Sequence, residues 1–364
     1  MRRGTSRGAP ARRDVVKAKI EIAAREKSFA SGLLLDLVAA LRATADGELF
    51  AVTSALALGD DLDKWSRLTG NAIVSVSEDA GVTRWVLRHG SASASHSQRE
   101  GNAAEPERPI GSRLWLYTNF HCNLRCDYCC VRSSPTAAPR ELGLARIARI
   151  AEEAPALGVR EIFLTGGEPF LAADLGEIVS TCARAAPTTV LTNGMLFSGS
   201  RLETLRAMPR DSVTLQVSLD SPSPELHDLH RGAGAWNKAW RGVVLARAEG
   251  FRVRLAATVA RDEDERALHA FFDREGVAHV DRVVRRVALR GFAESGVALA
   301  RTDLVPEVTI TADGVYWHPV GAEDADMLVT RDVFPLAGAF EAVRQAALRE
   351  HAFADRVASV FHCA

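Results

Sequence analysis

The cysteines of this 364-residue chain constrain its chemistry more than any other feature. Four of the 6 lie within nine residues, and they are Cys122, Cys126, Cys129 and Cys130. The other two, Cys182 and Cys363, stand alone. A disulfide framework would spread its cysteines to close loops, so this clustering indicates metal ligation. Two sites fit the spacing: a 4Fe-4S cluster held by three thiolates, or a zinc ion with His121 or Cys130 as its fourth ligand.

Composition excludes several other classes of protein. Lys and Arg number 45 against 46 Asp and Glu, and this balance argues against bulk electrostatic binding to nucleic acid or an anionic membrane. Hydrophobic residues make up 47% of the chain, enough for a packed core. No apolar run approaches the roughly 18 residues of a membrane helix, and the basic N-terminus lacks the apolar segment of a secretory signal. We therefore expect a cytoplasmic protein without a membrane segment.

Changes in composition predict how the chain is divided. A Ser-, Ala-, Glu- and Pro-rich stretch predicts a flexible linker over residues 91–110. Residues 1–14 are expected to form a disordered basic tail and residues 15–90 a small α+β domain. A barrel domain is expected over 111–290, followed by a C-terminal region over 291–364.

The small domain has a recognisable order of elements. Strand and helix patterns alternate as βαβαββ, with the first helix over Leu33 to Leu41. Residues 19–89 resemble the TusA-like sulfur-carrier fold. That family carries a Cys-Pro pair at the start of its first helix, where this chain has Leu35 and Asp36. Because the thiol that would carry sulfur is missing, we expect a docking or scaffolding module.

Downstream, short apolar strands alternate with helical segments. Strands are expected at Leu114–Tyr117, Glu161–Leu164, Thr189–Leu191, Val213–Leu219, Val253–Val259 and near Val280–Val287. Repeated βα units predict an α/β fold, a partial (β/α)6 TIM-type barrel with its site at the carboxyl ends of the strands.

Motifs in this region resemble the radical SAM superfamily over about residues 112–290. The three cysteines of Cys122-Asn-Leu-Arg-Cys126-Asp-Tyr-Cys129 follow the first barrel strand, and Gly-Gly-Glu-Pro ends the second. Asn193-Gly194 ends the third strand, and the fourth ends in Val217-Ser-Leu-Asp220, which is followed by His227-Asp-Leu-His-Arg231-Gly232. These motifs occur in the order that the superfamily has them.

The resemblance implies an enzyme with one 4Fe-4S cluster and S-adenosylmethionine as cofactors. In that family an electron from the cluster cleaves S-adenosylmethionine to a 5'-deoxyadenosyl radical, which abstracts hydrogen from a substrate. It implies three cluster ligands, Cys122, Cys126 and Cys129. The residues that it implies for binding S-adenosylmethionine are Tyr128, Gly166, Gly167, Glu168, Pro169, Asn193, Ser218, Asp220 and Arg231. The glycines would allow the methionine ammonium a close approach to the backbone.

The C-terminal region resembles a degenerate SPASM or twitch domain. Its expected hairpin at Thr311-Ala-Asp-Gly-Val-Tyr-Trp has His318 where that family has a cysteine after the aromatic residue. Cys363 is the other nearby candidate ligand, and two ligands do not hold a second cubane. We expect no auxiliary cluster.

Other interpretations stay open at this point. Asp220 could accept hydrogen bonds from backbone amides instead of touching a ligand. His227, Asp228 and His230 have helical metal-ligand spacing, although solvated or supporting roles are expected for them. The substrate is unknown, and a peptide or natural-product precursor is suggested by the SPASM-like branch. A flavodoxin or ferredoxin would supply electrons. The alternative function is a non-catalytic iron–sulfur or zinc module for redox sensing or interaction.

Overall fold

A computed structural model describes residues 16–25, 27, 33–45, 47–56, 58–69, 71–79, 81–90 and 109–360, without some side chains of the N-terminal region and those of 351–360. The expected tail over 1–14, residues 91–108 of the expected linker, and Cys363 lie outside this part. The chain divides into two compact units, Met1–Glu105 and Pro106–Ala364, with the division inside the expected linker. None of the described helices has the length and apolar composition needed to cross a bilayer.

The first unit has the predicted βαβαββ order. Its elements are β1 (Ile20–Arg25), α1 (Leu33–Ala43), β2 (Leu49–Ser54), α2 (Gly59–Leu68), β3 (Ala72–Asp79) and β4 (Val82–Arg88). The sheet order is β1-β2-β4-β3, in which β1 and β2 are parallel and the other pairs are antiparallel. Leu37 of α1, Leu62 of α2 and Phe50 of β2 are fully buried in one core. Likeness to the TusA fold stays a prediction.

The second unit is built on a nine-stranded sheet. Its strands are β5 (Arg113–Tyr117), β6 (Glu161–Thr165), β7 (Thr188–Thr192), β8 (Val213–Ser218), β9 (Arg252–Val259), β10 (Arg282–Arg286), β11 (Val308–Thr311), β12 (Gly314–Tyr316) and β13 (Leu328–Thr330). Strands β5 to β10 are parallel and lie side by side in chain order. The partial barrel and its six strands are therefore confirmed.

Helices connect these strands and cover one face of the sheet. They are α3 (Leu144–Glu153), α4 (Leu175–Ala185), α5 (Ser200–Ala207), α6 (Pro224–Arg231), α7 (Ala235–Ala248), α8 (Asp262–Arg274) and the C-terminal α9 (Leu336–Val360). Ile147 and Ile150 of α3 are fully buried, and the helix gives way to a short turn that ends at Gly158 with a φ of 84°. Cys182 of α4 is fully buried in this layer.

The C-terminal region continues the barrel sheet. Strand β11 lies parallel to β5, and β12 and β13 add to it as antiparallel strands. The expected hairpin forms between β11 and β12. Because Val308 and Ile310 share the core of the barrel, residues 291–360 belong to the same compact unit as 111–290.

Candidate functional site

The predicted site residues follow successive strands of the parallel sheet. The cysteine loop, residues 118–143, connects β5 to α3, and Gly166 to Pro169 follow β6. Asn193 follows β7, and Asp220 comes two residues after β8. Because the carboxyl ends of parallel strands meet at one edge, the topology brings these segments together.

Hydrogen bonds shape the cysteine loop around its thiols. The backbone N–H of Cys122 donates to the Ser134 carbonyl at 3.2 Å, and the N–H of Leu124 donates to the Cys122 Sγ at 3.4 Å. The N–H of Cys129 donates to the Cys126 carbonyl at 3.2 Å. The loop thus presents three thiols from one short turn.

The thiols are chemically suited to a cationic iron group. Burial raises the pKa of Cys122 to about 12 and that of Cys126 to about 11, with the Arg231 guanidinium opposing the second shift. These thiols therefore stay protonated until a cation replaces the protons. Thiolates are the ligands that iron–sulfur clusters take, so the donor set fits a cluster. Within the described residues, no three His, Cys, Asp or Glu side chains surround one metal-ion position.

The two glycines after β6 are required by the protein's own backbone. The N–H of Gly167 donates to the Asn119 carbonyl at 3.0 Å, and the N–H of Glu168 donates to the His121 carbonyl at 2.9 Å. A Cβ at Gly167 would lie 2.1 Å from the His121 oxygen, and one at Gly166 would lie 2.4 Å from the Asn119 oxygen. The cysteine loop thus approaches both glycines closely, and the expected contact of a ligand with them stays a prediction.

Glu168 joins the ends of two strands. Its fully buried carboxylate accepts hydrogen bonds from the N–H of Phe170 at 3.1 Å, the Thr192 hydroxyl at 2.8 Å and the N–H of Asn193 at 2.8 Å. Burial raises the pKa of Glu168, and these donors oppose the shift. Pro169 follows it at the start of a buried turn. Glu168 therefore supports the strand ends, whatever contact it makes to a ligand.

We expect Glu168→Gln to lower the free energy of unfolding by about 1–3 kcal/mol, because the new amide group would face a buried N–H donor. Chemical denaturation measures the change. Glu177→Gln on the exposed face of α4 is the control and should stay within about 0.5 kcal/mol of the wild type. Equal stability of the two variants would contradict the proposed support.

Asn193 connects the end of β7 to the cysteine loop. Its Nδ2 donates to the Asn123 Oδ1 at 2.7 Å, and its Oδ1 accepts from the Met195 N–H at 3.0 Å. Asn123 directly follows Cys122, so Asn193 positions the first cysteine of the loop.

A buried carboxylate lies at the centre of the site. Asp220 is 3% exposed and accepts hydrogen bonds from the Tyr128 hydroxyl, from the Arg231 Nε and, at 2.9 Å, from the Thr258 N–H. The Arg231 guanidinium also lies 5.6 Å from the centre of the Tyr128 ring. Burial would raise the pKa of Asp220, but the Arg231 charge outweighs it and holds the pKa below its ordinary value. The structure therefore brings together three predicted site residues, Tyr128, Asp220 and Arg231. Asp220 contacts both the backbone amide of Thr258 and the two side chains.

Ser218 is the last residue of β8 and lies on the face of the sheet that is turned away from the helices. Val217 of the same strand packs in the core, and strand side chains alternate between faces. We call the face that carries Ser218 the inner face.

The His227 group makes contacts within the protein. The His227 Nδ1 accepts from the Asp220 N–H at 3.2 Å, and the Asp228 carboxylate accepts from the N–H groups of Gly234 and Trp236 at 2.6 and 2.8 Å. His230 pairs with Asp127 at 2.9 Å. These are the supporting contacts expected for residues that are not metal ligands.

Protonation of His227 makes the stability of the fold depend on pH. Burial lowers its pKa to about 4 from the ordinary 6.5, so the unfolded chain takes up a proton at a higher pH than the folded chain. The neutral His227 ring contributes fully to the free energy of unfolding above about pH 6.5, and this contribution is lost as the pH falls toward 4. We expect the free energy of unfolding of the wild type to fall by about 2–3 kcal/mol between pH 7 and 4.5. His227→Gln should not show this fall.

Urea denaturation at the two pH values measures this difference. His269→Gln on α8 is the matched control and should keep the acid sensitivity of the wild type. The same acid loss in His227→Gln and the wild type would show that another group is responsible.

His318 does not point to a second metal centre. Its Nδ1 accepts from the Val320 N–H at 3.1 Å, and burial lowers its pKa to about 4. The ring is thus a neutral acceptor that caps a short turn. Cys363 lies outside the described residues, so the expected absence of an auxiliary cluster stays a prediction.

Four supporting residues escaped sequence reasoning: Asn119, Asn123, Thr192 and Thr258. The Asn119 Nδ2 donates to the Glu168 carbonyl at 3.1 Å, while its buried Oδ1 has no hydrogen-bond partner in the described part of the chain. Isolated Asn and Thr residues near strand ends carry no sequence signal, because only the register of the sheet reveals their partners.

Comparison with known proteins agrees with this geometry. Residues 116–274 match the family model of the Radical SAM superfamily. AdoMet-dependent heme synthase of Oleidesulfovibrio alaskensis is 32% identical over 143 residues, which cover 39% of this chain and 36% of that protein. The subtilosin biosynthesis protein AlbA of Bacillus subtilis is 31% identical over 179 residues, covering 48% and 38%. PqqA peptide cyclase of Ruegeria pomeroyi is 32% identical over 176 residues, covering 46% of each chain.

The chain spans less than half the length of each of these relatives. A solved structure of anSMEcpe with bound AdoMet and Kp18Cys peptide shares the fold, with a TM-score of 0.51 and 14% identity over 64% of this chain and 82% of that one. Residues 116–274 of this chain are therefore similar to the radical SAM superfamily in sequence. Proteins of this superfamily are enzymes that use a 4Fe-4S cluster and S-adenosylmethionine.

Proposed function

We propose that this protein is a radical SAM enzyme that cleaves S-adenosylmethionine and abstracts hydrogen from an organic substrate. One observation carries the proposal. Three thiols, the Gly-Gly-Glu-Pro turn and the Tyr128–Asp220–Arg231 group, whose carboxylate is buried, follow strands at one edge of a parallel sheet. A single metal-binding loop, as in a structural zinc site, would not need the other two elements.

Cys122, Cys126 and Cys129 would hold the cluster, which leaves one iron free for a ligand. When bound, the cluster would supply the electron that splits S-adenosylmethionine into methionine and a 5'-deoxyadenosyl radical. The chain's own residues position and shield this chemistry. The Arg231 charge acts on Cys126 and would offset part of the negative charge that three thiolates bring.

The remaining proposed contacts surround the same edge. Tyr128 and Arg231, fixed by Asp220, would bind the nucleoside side of S-adenosylmethionine, together with Ser218 on the inner face. Gly166 and Gly167 leave the end of β6 without side chains, so that the methionine group could contact the backbone there.

The substrate class is a peptide or a natural-product precursor. The names of two relatives support this part of the proposal, a bacteriocin biosynthesis protein and a peptide cyclase. A flavodoxin or ferredoxin would reduce the cluster. The N-terminal unit, in which Leu35 and Asp36 replace the carrier motif, would serve for docking.

The test is anaerobic formation of 5'-deoxyadenosine from S-adenosylmethionine by the reconstituted, reduced protein. A non-catalytic sensor would bind metal and form none. A brown, iron-loaded protein without turnover would therefore support the sensor alternative over the enzyme.

A further inference from the structure

Strand β10 ends the barrel sheet, and its side chains divide between two faces. Arg282 donates to Asp273 of α8 at 2.6 Å, and Arg286 donates to Glu265 of the same helix at 2.7 Å. Val284 packs against the apolar core beneath the helices. Because side chains alternate along a strand, Arg285 lies on the opposite, inner face.

The end of β10 lies next to the proposed site. Arg285 pairs in register with Thr258 of β9, whose N–H donates to Asp220. Six residues after the end of β10, the N–H of Phe292 donates to the Cys129 carbonyl at 2.9 Å. The Arg285 side chain thus extends from the same edge of the sheet that carries the cysteine loop.

Electrostatics agree with this position. Burial is the main cause of the lowered pKa of His318, and the Arg285 charge lowers that pKa further. A neutral imidazole therefore lies within range of the guanidinium. This ring supplies no negative charge to balance it.

Arg285 also lacks a partner that neighbouring arginines have. It is exposed and makes no hydrogen bond or ion pair to any described residue, whereas Arg290 binds Asp324 at 2.7 Å and Asp326 at 2.9 Å. Glu323, the next acid in this loop, binds Arg132 and Arg140. The nearby carboxylates are thus already engaged, which leaves a free guanidinium at the proposed site.

We propose that Arg285 binds a carboxylate group of the substrate. The planar guanidinium donates two parallel hydrogen bonds to a carboxylate, and one positive charge balances one negative charge. A phosphate group carries more charge than this single cation would neutralise. The inference rests on the proposed function and narrows its substrate to molecules with a carboxylate near the reacting carbon, such as an acidic side chain of a peptide.

Protection from phenylglyoxal, which modifies free guanidinium groups, tests this on the cluster-reconstituted full chain. N-acetylglycine is the carboxylate probe and N-acetylglycinamide its neutral counterpart. We expect saturating N-acetylglycine to slow modification of Arg285 roughly fivefold or more, as mass action predicts, and the amide to have no effect. Peptide mass spectrometry measures the modification of Arg285 separately from that of Arg286. The rate at which Arg286 is modified should not change.

Further comparisons test whether Arg285 binds a substrate carboxylate, the cofactor or another anion. S-adenosylmethionine, added while the cluster is oxidised, should leave Arg285 reactive; full protection by it would assign Arg285 to the cofactor and overturn the proposal. Stronger protection by inorganic phosphate would overturn it as well, as would equal effects of the acid and the amide. Saturation-transfer NMR should show N-acetylglycine binding lost in Arg285→Gln, retained in Arg286→Gln and partly retained in Arg285→Lys.

These measurements need no turnover. Failure of protection would therefore refute the carboxylate site alone, whereas absence of 5'-deoxyadenosine would refute the proposed enzyme.

Discussion

Cys126→Ala is expected to lose both bound iron and all 5'-deoxyadenosine formation. Two thiolates from one loop do not hold a cubane that uses three protein ligands, so the cluster should not assemble. The measurement is anaerobic reconstitution, reduction with dithionite, addition of S-adenosylmethionine and chromatography of the products. The wild type should bind about four iron atoms per chain, because it has one set of cluster ligands.

Cys130→Ala is the matched control for this experiment. Cys130 adjoins the third predicted ligand and packs partly buried beside Tyr117 and Phe120, so the spacing assigns it no iron. This variant should keep its iron and its product. Equal loss in both variants would implicate Cys130 as a ligand, and product formation by Cys126→Ala would refute the assignment of the cluster.

Much of the fold followed from local patterns. The six barrel strands are short apolar runs such as Glu161–Thr165, separated by helices with apolar residues three and four positions apart, and both signals are local. The pairing of β11 with β5 was not predictable in this way. It joins residues such as Ile310 and Leu116, which are far apart in the chain, and it made the C-terminal region part of the barrel.

The candidate site, like the fold, was predictable only where its signal is local in the sequence. The cysteine spacing predicts ligands because one short loop supplies all three thiols. The hydrogen bond from Tyr128 to Asp220 joins residues 92 positions apart, and it depends on the sheet placing both loops at one edge. The glycines show the same limit, because their motif suggests a ligand contact, which stays a prediction, and gives no sign of their backbone contacts with Asn119 and His121.

Asp220→Ala is expected to give the largest loss of stability among the site variants. The change would leave the Arg231 guanidinium buried without its counter-charge and would free the Tyr128 hydroxyl and the Thr258 N–H. Removing one partner of a buried ion pair typically costs about 3–5 kcal/mol. Urea denaturation followed by hydrogen exchange and mass spectrometry measures the loss and separates the barrel from the N-terminal unit.

The ion pair between Asp262 and Arg286 provides the control, because the Asp262 side chain is 68% exposed. Asp262→Ala should cost less than about 1 kcal/mol. The double variant Asp220→Asn/Arg231→Gln should recover part of the stability, since it leaves no unpaired buried charge. If Asp220→Ala were no more destabilising than Asp262→Ala, the carboxylate would not hold Arg231 and Tyr128 in place. Their proposed contacts to S-adenosylmethionine would then need another basis.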